Sequence, residues 1–279
     1  MSALTFELKS APEFPLDVSP LIPDRLEGLD LQKIRALKVE YGKQKTSVSS
    51  LFRVSGRDRE HIRIQGSTSR LQSVGKDMTR GTVEVSGDVG KFLGQGLKGG
   101  RLEVHGNAGD WVGNRMTGGH INIYGNAGDY VGASLPGDTF GMNDGFINIL
   151  GNAGDRIGDK MRRGMIVIHG QAGNFCGSRM YAGTIVVLKE AGKNTGVGMR
   201  RGSLVLARKP AHISATFRSC GVLKMQFLRL LFTQLLQYGD EFSLFRKFGA
   251  EARRYTGDRA RNGKGEILIL LNTNSGTQK

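Results

Sequence analysis

Residues 145–164 read GFINILGNAGDRIGDKMRRG, and this run of residue types recurs with little change along the middle of the chain. GRLEVHGNAGDWVGNRMTG begins at Gly100, GMIVIHGQAGNFCGSRMYA at Gly164 and GTIVVLKEAGKNTGVGMRR at Gly183. The anchoring glycines Gly81, Gly100, Gly119, Gly145, Gly164, Gly183 and Gly202 stand 19 residues apart at every step but one, which is 26. A period near 20 residues marks a solenoid, whose units cannot bury their apolar faces without their neighbours. Each unit opens with apolar residues at every second position, as at Ile147 and Ile149, and a period of two specifies strand. The rest of the unit is too rich in glycine for a helix. Equivalent strands are then set side by side and parallel, about 4.8 Å apart. The fold class this predicts is a right-handed parallel β-helix of ~19-residue coils over 61–207. Residues 1–60 form a non-repeat cap, and residues 208–279 form an α-helical extension ending in a strand at Glu266–Leu271.

Stacking the units predicts five inward columns. Val83, Leu102, Ile121, Ile147, Ile166 and Ile185 make the first; Val85, Val104, Ile123, Ile149, Ile168 and Val187 the second. Val89 followed by the alanines 108, 127, 153, 172 and 191 makes the third, and Leu93, Val112, Val131, Ile157, Cys176 and Thr195 the fourth. Leu97, Met116, Met161, Met180 and Met199 make the fifth, where a flexible thioether suits an irregular corner. Asp88, Asn107, Asn126, Asn152, Gln171 and Glu190 stack at another corner, where side chains hydrogen-bond along the stack.

Outside the repeat, Leu4–Leu8 alternates as a strand, and Asp24 is placed to cap a short helix through Leu31. The surplus of the long unit falls in Ala133–Asp144, ASLPGDTFGMND, an exposed loop. Outward strand positions change from polar (Glu84, Glu103, His105, Asn122) to apolar (Met165, Val167, Val186, Leu188), so the later face needs a cover. Residues 222–238, VLKMQFLRLLFTQLLQY, have near-helical apolar spacing and are the cover within the chain, either buried between the stack and a partner or themselves the partner-docking helix.

The chain has 279 residues, 42 of them glycine, and 40 Lys plus Arg against 25 Asp plus Glu, a formal net charge of +15. Such a balance implies an acidic partner. Two cysteines without a Cys-x-x-Cys pair and a start, MSALTFELKSAPEF, unlike a signal peptide imply a reducing, cytoplasmic setting. The 222–238 stretch is too short and polar to span a membrane.

No catalytic constellation stands out. The five histidines lack metal-ligand spacing, the aspartates Asp110, Asp129 and Asp155 recur because the turn favours them, and the Gly-x-Gly pairs belong to the repeat. The expectation is therefore no catalytic residue and no metal in this chain. The informative polar feature is cationic. Arg115, Lys160, Arg162, Arg163, Arg179, Arg200 and Arg201 recur about the methionine corner and draw a basic stripe along the stack, the candidate cofactor-binding residues. A second cluster, Arg253, Arg254, Arg259, Arg261 and Lys264, lies near the end of the chain. Trp111, Tyr130 and Phe175 share one corner column: a platform for a ligand or a subunit, but a thin surface for nucleic acid.

The repeated unit, the loop LPGDTFGMNDG (135–145), the tail RYTGDRARNGKGEILI (254–269) and the start LTFELKSAPEFPLDVSPLIPD (4–24) together resemble the C subunit of formylmethanofuran dehydrogenase and its bacterial counterpart in the formyltransferase/hydrolase complex. The repeat alone is also similar to the β-helix of the glutamate synthase large subunit. The fuller resemblance implies a non-catalytic subunit of a one-carbon complex. Its partners would be an amidohydrolase-like hydrolase, a formyltransferase and a B-like subunit. Its carrier would be a methanofuran- or methylofuran-type coenzyme with a polyglutamate tail. The alternatives are the archaeal-type dehydrogenase subunit of methanogenesis and a polyanion- or nucleic-acid-binding module.

Overall fold

The structure, a computed structural model, describes residues 2–272. Thirteen strands form one sheet. From one edge to the other they are Arg218–Lys224, Phe248–Gly257, Gly265–Asn272, Ser203–Leu206, Thr184–Val187, Met165–Ile168, Asp144–Ile149, Thr117–Ile123, Arg101–Val104, Thr82–Gly87, Asp58–Ser67, Ala3–Leu8 and Phe52–Ser55. The strands of the repeat pair in parallel and in register, so that Ile147 lies between Ile121 and Ile166. Antiparallel pairs occur only towards the two edges among the described residues. Four short strands, Leu16–Asp17, Lys38–Tyr41, Gln44–Ser47 and Leu71–Gln72, make a second, mixed sheet.

This architecture corrects the expected fold class. The strands lie in one large open sheet, and a parallel β-helix of strand-walled coils is not what forms. The reason is local. Only the opening residues of each unit alternate. The remainder has residues at positive φ two apart, as at Arg156 (60°), Gly158 (65°) and Lys160 (57°), which no strand can accommodate. The return path of each unit is therefore turns, joined to its neighbours by single bridges such as Ala127↔Ala153 and Ala153↔Ala172. The α-helical reading of 208–279 is corrected as well. Its one α-helix among the described residues is Gln226–Leu235, and three strands of the segment join the sheet. Asp24 also differs from expectation. The first short helix starts at Pro23, and the Asp24 carboxylate instead accepts from the Thr79 N–H at 3.1 Å.

The turns fold back over one face of the sheet. Every residue assigned to the five columns is buried there, and Met142 joins them with no exposure at all. Met142 takes the methionine place of the long unit, since its carbonyl accepts the Arg162 N–H as the Met161 carbonyl accepts that of Tyr181. The surplus residues thus leave and return without shifting the register. Gly158 shows why glycine recurs in the turns. A Cβ there would lie 2.5 Å from the Ile185 δ-methyl, so the absent side chain makes room for an isoleucine of a following unit.

Side chains also tie unit to unit. The Asn107 Oδ1 accepts the Asn126 N–H at 2.9 Å, the Asn126 Oδ1 that of Asn152 at 2.8 Å, and the Asn152 Oδ1 that of Gln171 at 2.8 Å. A second line runs three residues on, from Asp110 through Asp129 and Asp155 to Asn174, at 2.7–3.1 Å.

The opposite face is covered in its later half. Leu228, Leu231, Phe232 and Leu235 of the ten-residue helix, with Phe242 and Phe245, bury Val167, Val186 and Val205. Each such side chain contributes about 1.5–3 kcal/mol of burial, an upper figure for an extended unfolded chain. His169 lies under this cover, its Nε2 3.0 Å from the Asn148 Oδ1 and its ring edge-on to Phe242.

Two outcomes are expected. Ile149→Ala should cost about 2–5 kcal/mol in chemical denaturation, and Ile149→Asp should yield insoluble protein. Burial also lowers the His169 pKa to about 4 from an ordinary 6.5. The unfolded chain then takes up the proton first, so stability should fall as pH drops from about 6.5 towards 4, by at most about 3 kcal/mol. Melting curves of His169→Gln against the parent should show that slope reduced.

Candidate functional site

The left-handed turn positions aim side chains along one flank. In every repeat but the long one, where Ser134 departs from it, the pattern is a residue at positive φ, then glycine two on, then a third such residue two further: Trp111, Gly113 and Arg115 in one unit, Phe175, Gly177 and Arg179 in another. Holding non-glycine residues there costs about 1–2 kcal/mol each. The first positions build a column of Phe92, Trp111, Tyr130, Arg156 and Phe175. Trp111 and Tyr130 stack at 4.1 Å with planes 4° apart, and the Arg156 guanidinium lies 4.7 Å over the Phe175 ring. The third positions carry Arg115, Lys160 and Arg179.

The inserted loop lies against these cations. Arg115 makes a two-pronged ion pair with Asp138, its Nε donating at 2.7 Å. The Lys160 Nζ donates to the Asp138 carbonyl at 3.1 Å. The Arg162 guanidinium sits 4.6 Å over Phe140, whose ring meets Tyr181 edge-on. The Arg115 hydrogen bond holds the Asp138 carboxyl below the usual range, and the same contact raises Arg115. Arg179 likewise grips the nearly buried Asp159, which also accepts from the Ser178 hydroxyl at 2.9 Å.

Two cavities open here. One, of about 310 Å³, is lined by Trp111, Tyr130, Ser134, Leu135, Pro136, Arg156, Asp159, Lys160 and Arg179. The other, of about 150 Å³, is lined by Lys160, Arg179, Tyr181, Gly198, Arg200 and Arg261. Lys160 and Arg179 belong to both, so the cavities adjoin. Arg261 arrives from the terminal cluster because its loop continues the stack. Asp258 accepts the Gly198 N–H at 2.9 Å, and the Lys264 N–H donates to the Arg200 carbonyl at 2.6 Å. Burial alone would raise the Asp258 carboxyl, but the Gly198 N–H, the Thr216 hydroxyl and the Ala260 N–H hold it low. The joint site therefore sets Arg156, Lys160, Arg179, Arg200 and Arg261 against one lining carboxylate, Asp159, and suits an extended polyanion with room for a flat group at its aromatic end.

Of the stripe residues, the structure brings Lys160, Arg179 and Arg200 to these cavities, with Arg200 5.0 Å over Tyr181. Arg115 and Arg162 hold the inserted loop. Arg163 and Arg201 are exposed and line neither cavity. Sequence reasoning left out Arg156 and Tyr181. Arg156 stands in the aromatic column position of its unit, and that register was the signal available. Among the described residues no group of three or more His, Cys, Asp or Glu is placed to hold a metal, and no helix is long and apolar enough to cross a membrane.

A family model described as the GXGXG motif matches residues 98–224. The crystal structure of the formyltransferase/hydrolase complex from Methylorubrum extorquens, determined with methylofuran, contains a chain 34% identical to this one, with a TM-score of 0.88, over 96% of this chain and 100% of that one. Among curated proteins, the C subunit of the molybdenum-containing formylmethanofuran dehydrogenase 1 of Methanothermobacter marburgensis is 38% identical over 84 residues. This chain belongs to the family of formylmethanofuran dehydrogenase C subunits. The C subunit of the tungsten-containing formylmethanofuran dehydrogenase 2 of Methanothermobacter thermautotrophicus is 35% identical over 98 residues. The matched stretches are 29% and 33% of this chain, and 21% and 36% of those two archaeal members. Those two archaeal members are named as subunits of formylmethanofuran dehydrogenases.

Asp138→Ala should free the loop of this family member while leaving the packed columns untouched. The expected result is faster proteolytic nicking within residues 135–141 with little change in melting temperature, read by limited proteolysis and mass spectrometry.

Proposed function

We propose that the chain is a non-catalytic subunit of a formyl-transferring complex that scaffolds the catalytic subunits and holds the polyglutamate tail of a methanofuran-type coenzyme in formaldehyde oxidation to formate. One observation carries the reading: Lys160, Arg179 and Arg200 of the repeat and Arg261 of the terminal loop converge on adjoining cavities. A chain of carboxylates is matched by cations in a row, and each exposed pair contributes at most about 1 kcal/mol, so affinity comes from their number. Three features of the molecule support a scaffolding rather than a catalytic role. His169 is half-buried against Phe242, Asp138 and Asp159 are engaged by arginines, and the net charge is +15.

The likeness to a chain of the Methylorubrum complex extends over 96% of this chain at 34% identity, which supports the bacterial type of assembly. Its partners would be the amidohydrolase-like hydrolase, the formyltransferase and the B-like subunit, and its carrier methylofuran, with the working complex in the cytoplasm.

Lys160→Glu, Arg200→Glu and Arg261→Glu, singly and together, test the site in the purified complex, with retained polyglutamylated carrier quantified by mass spectrometry. Single changes should lower retention by a few-fold at most, and the triple variant by on the order of tenfold or more at low salt, with the difference fading at high salt. Unchanged retention and salt dependence in the triple variant would return these cations to the status of a solvated face.

A further inference from the structure

Among the described residues the strand Arg218–Lys224 ends the thirteen-stranded sheet and pairs on one side only, with Phe248–Gly257. All seven of its residues are exposed, including Val222 at 46% and Leu223 at 37%, and on the covering helix Leu230 is 74% exposed. An exposed edge with apolar side chains and no covering segment is a template for another strand. The direction of its free hydrogen-bonding groups can be assigned. Met225 donates its N–H to Ala250 across the ladder, and alternation in an antiparallel pair then turns the N–H groups of Val222 and Lys224 outward.

The occupant follows from charge. Cations stand at both ends, Arg218 and Lys224, and on the neighbouring strand Arg253 lies opposite Val222 and Glu251 opposite Lys224, so the edge is cationic on balance. A second copy paired antiparallel about the strand centre would set Arg218 against Lys224, like against like. We propose that this edge receives an extended, acidic and apolar strand from a different subunit of the complex, which adds a fourteenth strand to the sheet. This rests on the reading of the chain as a complex subunit. Main-chain hydrogen bonds would supply the affinity, and carboxylates facing Arg218 and Lys224 the register.

Amide hydrogen exchange tests it, comparing the chain alone with the complex purified through a tag on this chain. Exchange within 218–224 should slow by about tenfold or more on assembly. Val222→Pro removes an outward N–H and leaves the inward ladder intact. It should lower the occupancy of one subunit in the purified complex without changing the melting temperature of the isolated chain. Arg218→Glu with Lys224→Glu should do the same, most strongly at low salt. Exchange in 218–224 that stays fast while other segments slow would overturn the edge proposal and leave the subunit reading standing. Protection that grows with concentration of the chain alone would overturn it in favour of self-pairing. A chain that purifies with no stoichiometric partner would overturn the subunit reading itself.

Discussion

The stack depends on side-chain oxygens of one unit accepting main-chain N–H groups of the next. At the corners of each repeat the backbone turns too sharply for a continuous ladder, and its N–H groups would otherwise be left to water. Asn107, Asn126 and Asn152 in one line, and Asp110, Asp129 and Asp155 in the other, satisfy them at 2.7–3.1 Å. An aliphatic residue at any of these places would leave a polar group unpaired, and a longer side chain would miss its reach. This is why the repeat keeps asparagine and aspartate where the buried columns accept valine, isoleucine, leucine or cysteine.

With the corners held, the turn between them can carry residues in an unfavourable conformation. The aromatic and cationic side chains at positive φ, Trp111, Tyr130, Lys160 and Arg179 among them, stand one strand spacing apart and face the same flank. The candidate surface is thus a by-product of the repeat's turn geometry, tuned by which side chain occupies each left-handed place. The inserted loop and the terminal Asp258 loop then wall it in from two sides.

The burial of Val83, Ile147, Ile185 and their columns was legible from alternation and period alone. The fold class was not. A repeat period near 20 residues reports that units stack, but whether the return path is strand or turn depends on positive φ at residues such as Trp111 and Lys160, whose identities give no hint of it. Met142 was not legible either, because in sequence Leu135 stands 19 residues after Met116, and only the excursion of the loop shows which residue re-enters the core. The run 222–238 reads as one helix, yet its first residues finish an edge strand, since pairing with Phe248–Gly257 outweighs helical spacing. At the candidate site the cations were legible and their neutralisation was not. Arg115 meets Asp138 and Arg179 meets Asp159 at separations of 23 and 20 residues, neither of which is the repeat period.

Where the side-chain lines accept main-chain N–H groups they run in one direction: the oxygen belongs to the earlier unit and the N–H to the later one. The stack therefore has polarity, like a filament with unlike ends. Along these lines its early terminus presents donors and its late terminus presents acceptors, and the two need different closures. At the late end Glu190 occupies the asparagine place, and its carboxylate is met at 2.9 Å by the Arg208 guanidinium, a donor borrowed from just beyond the repeat. Such a stack can be lengthened or shortened by whole units at an interior point without changing the chemistry of either terminus.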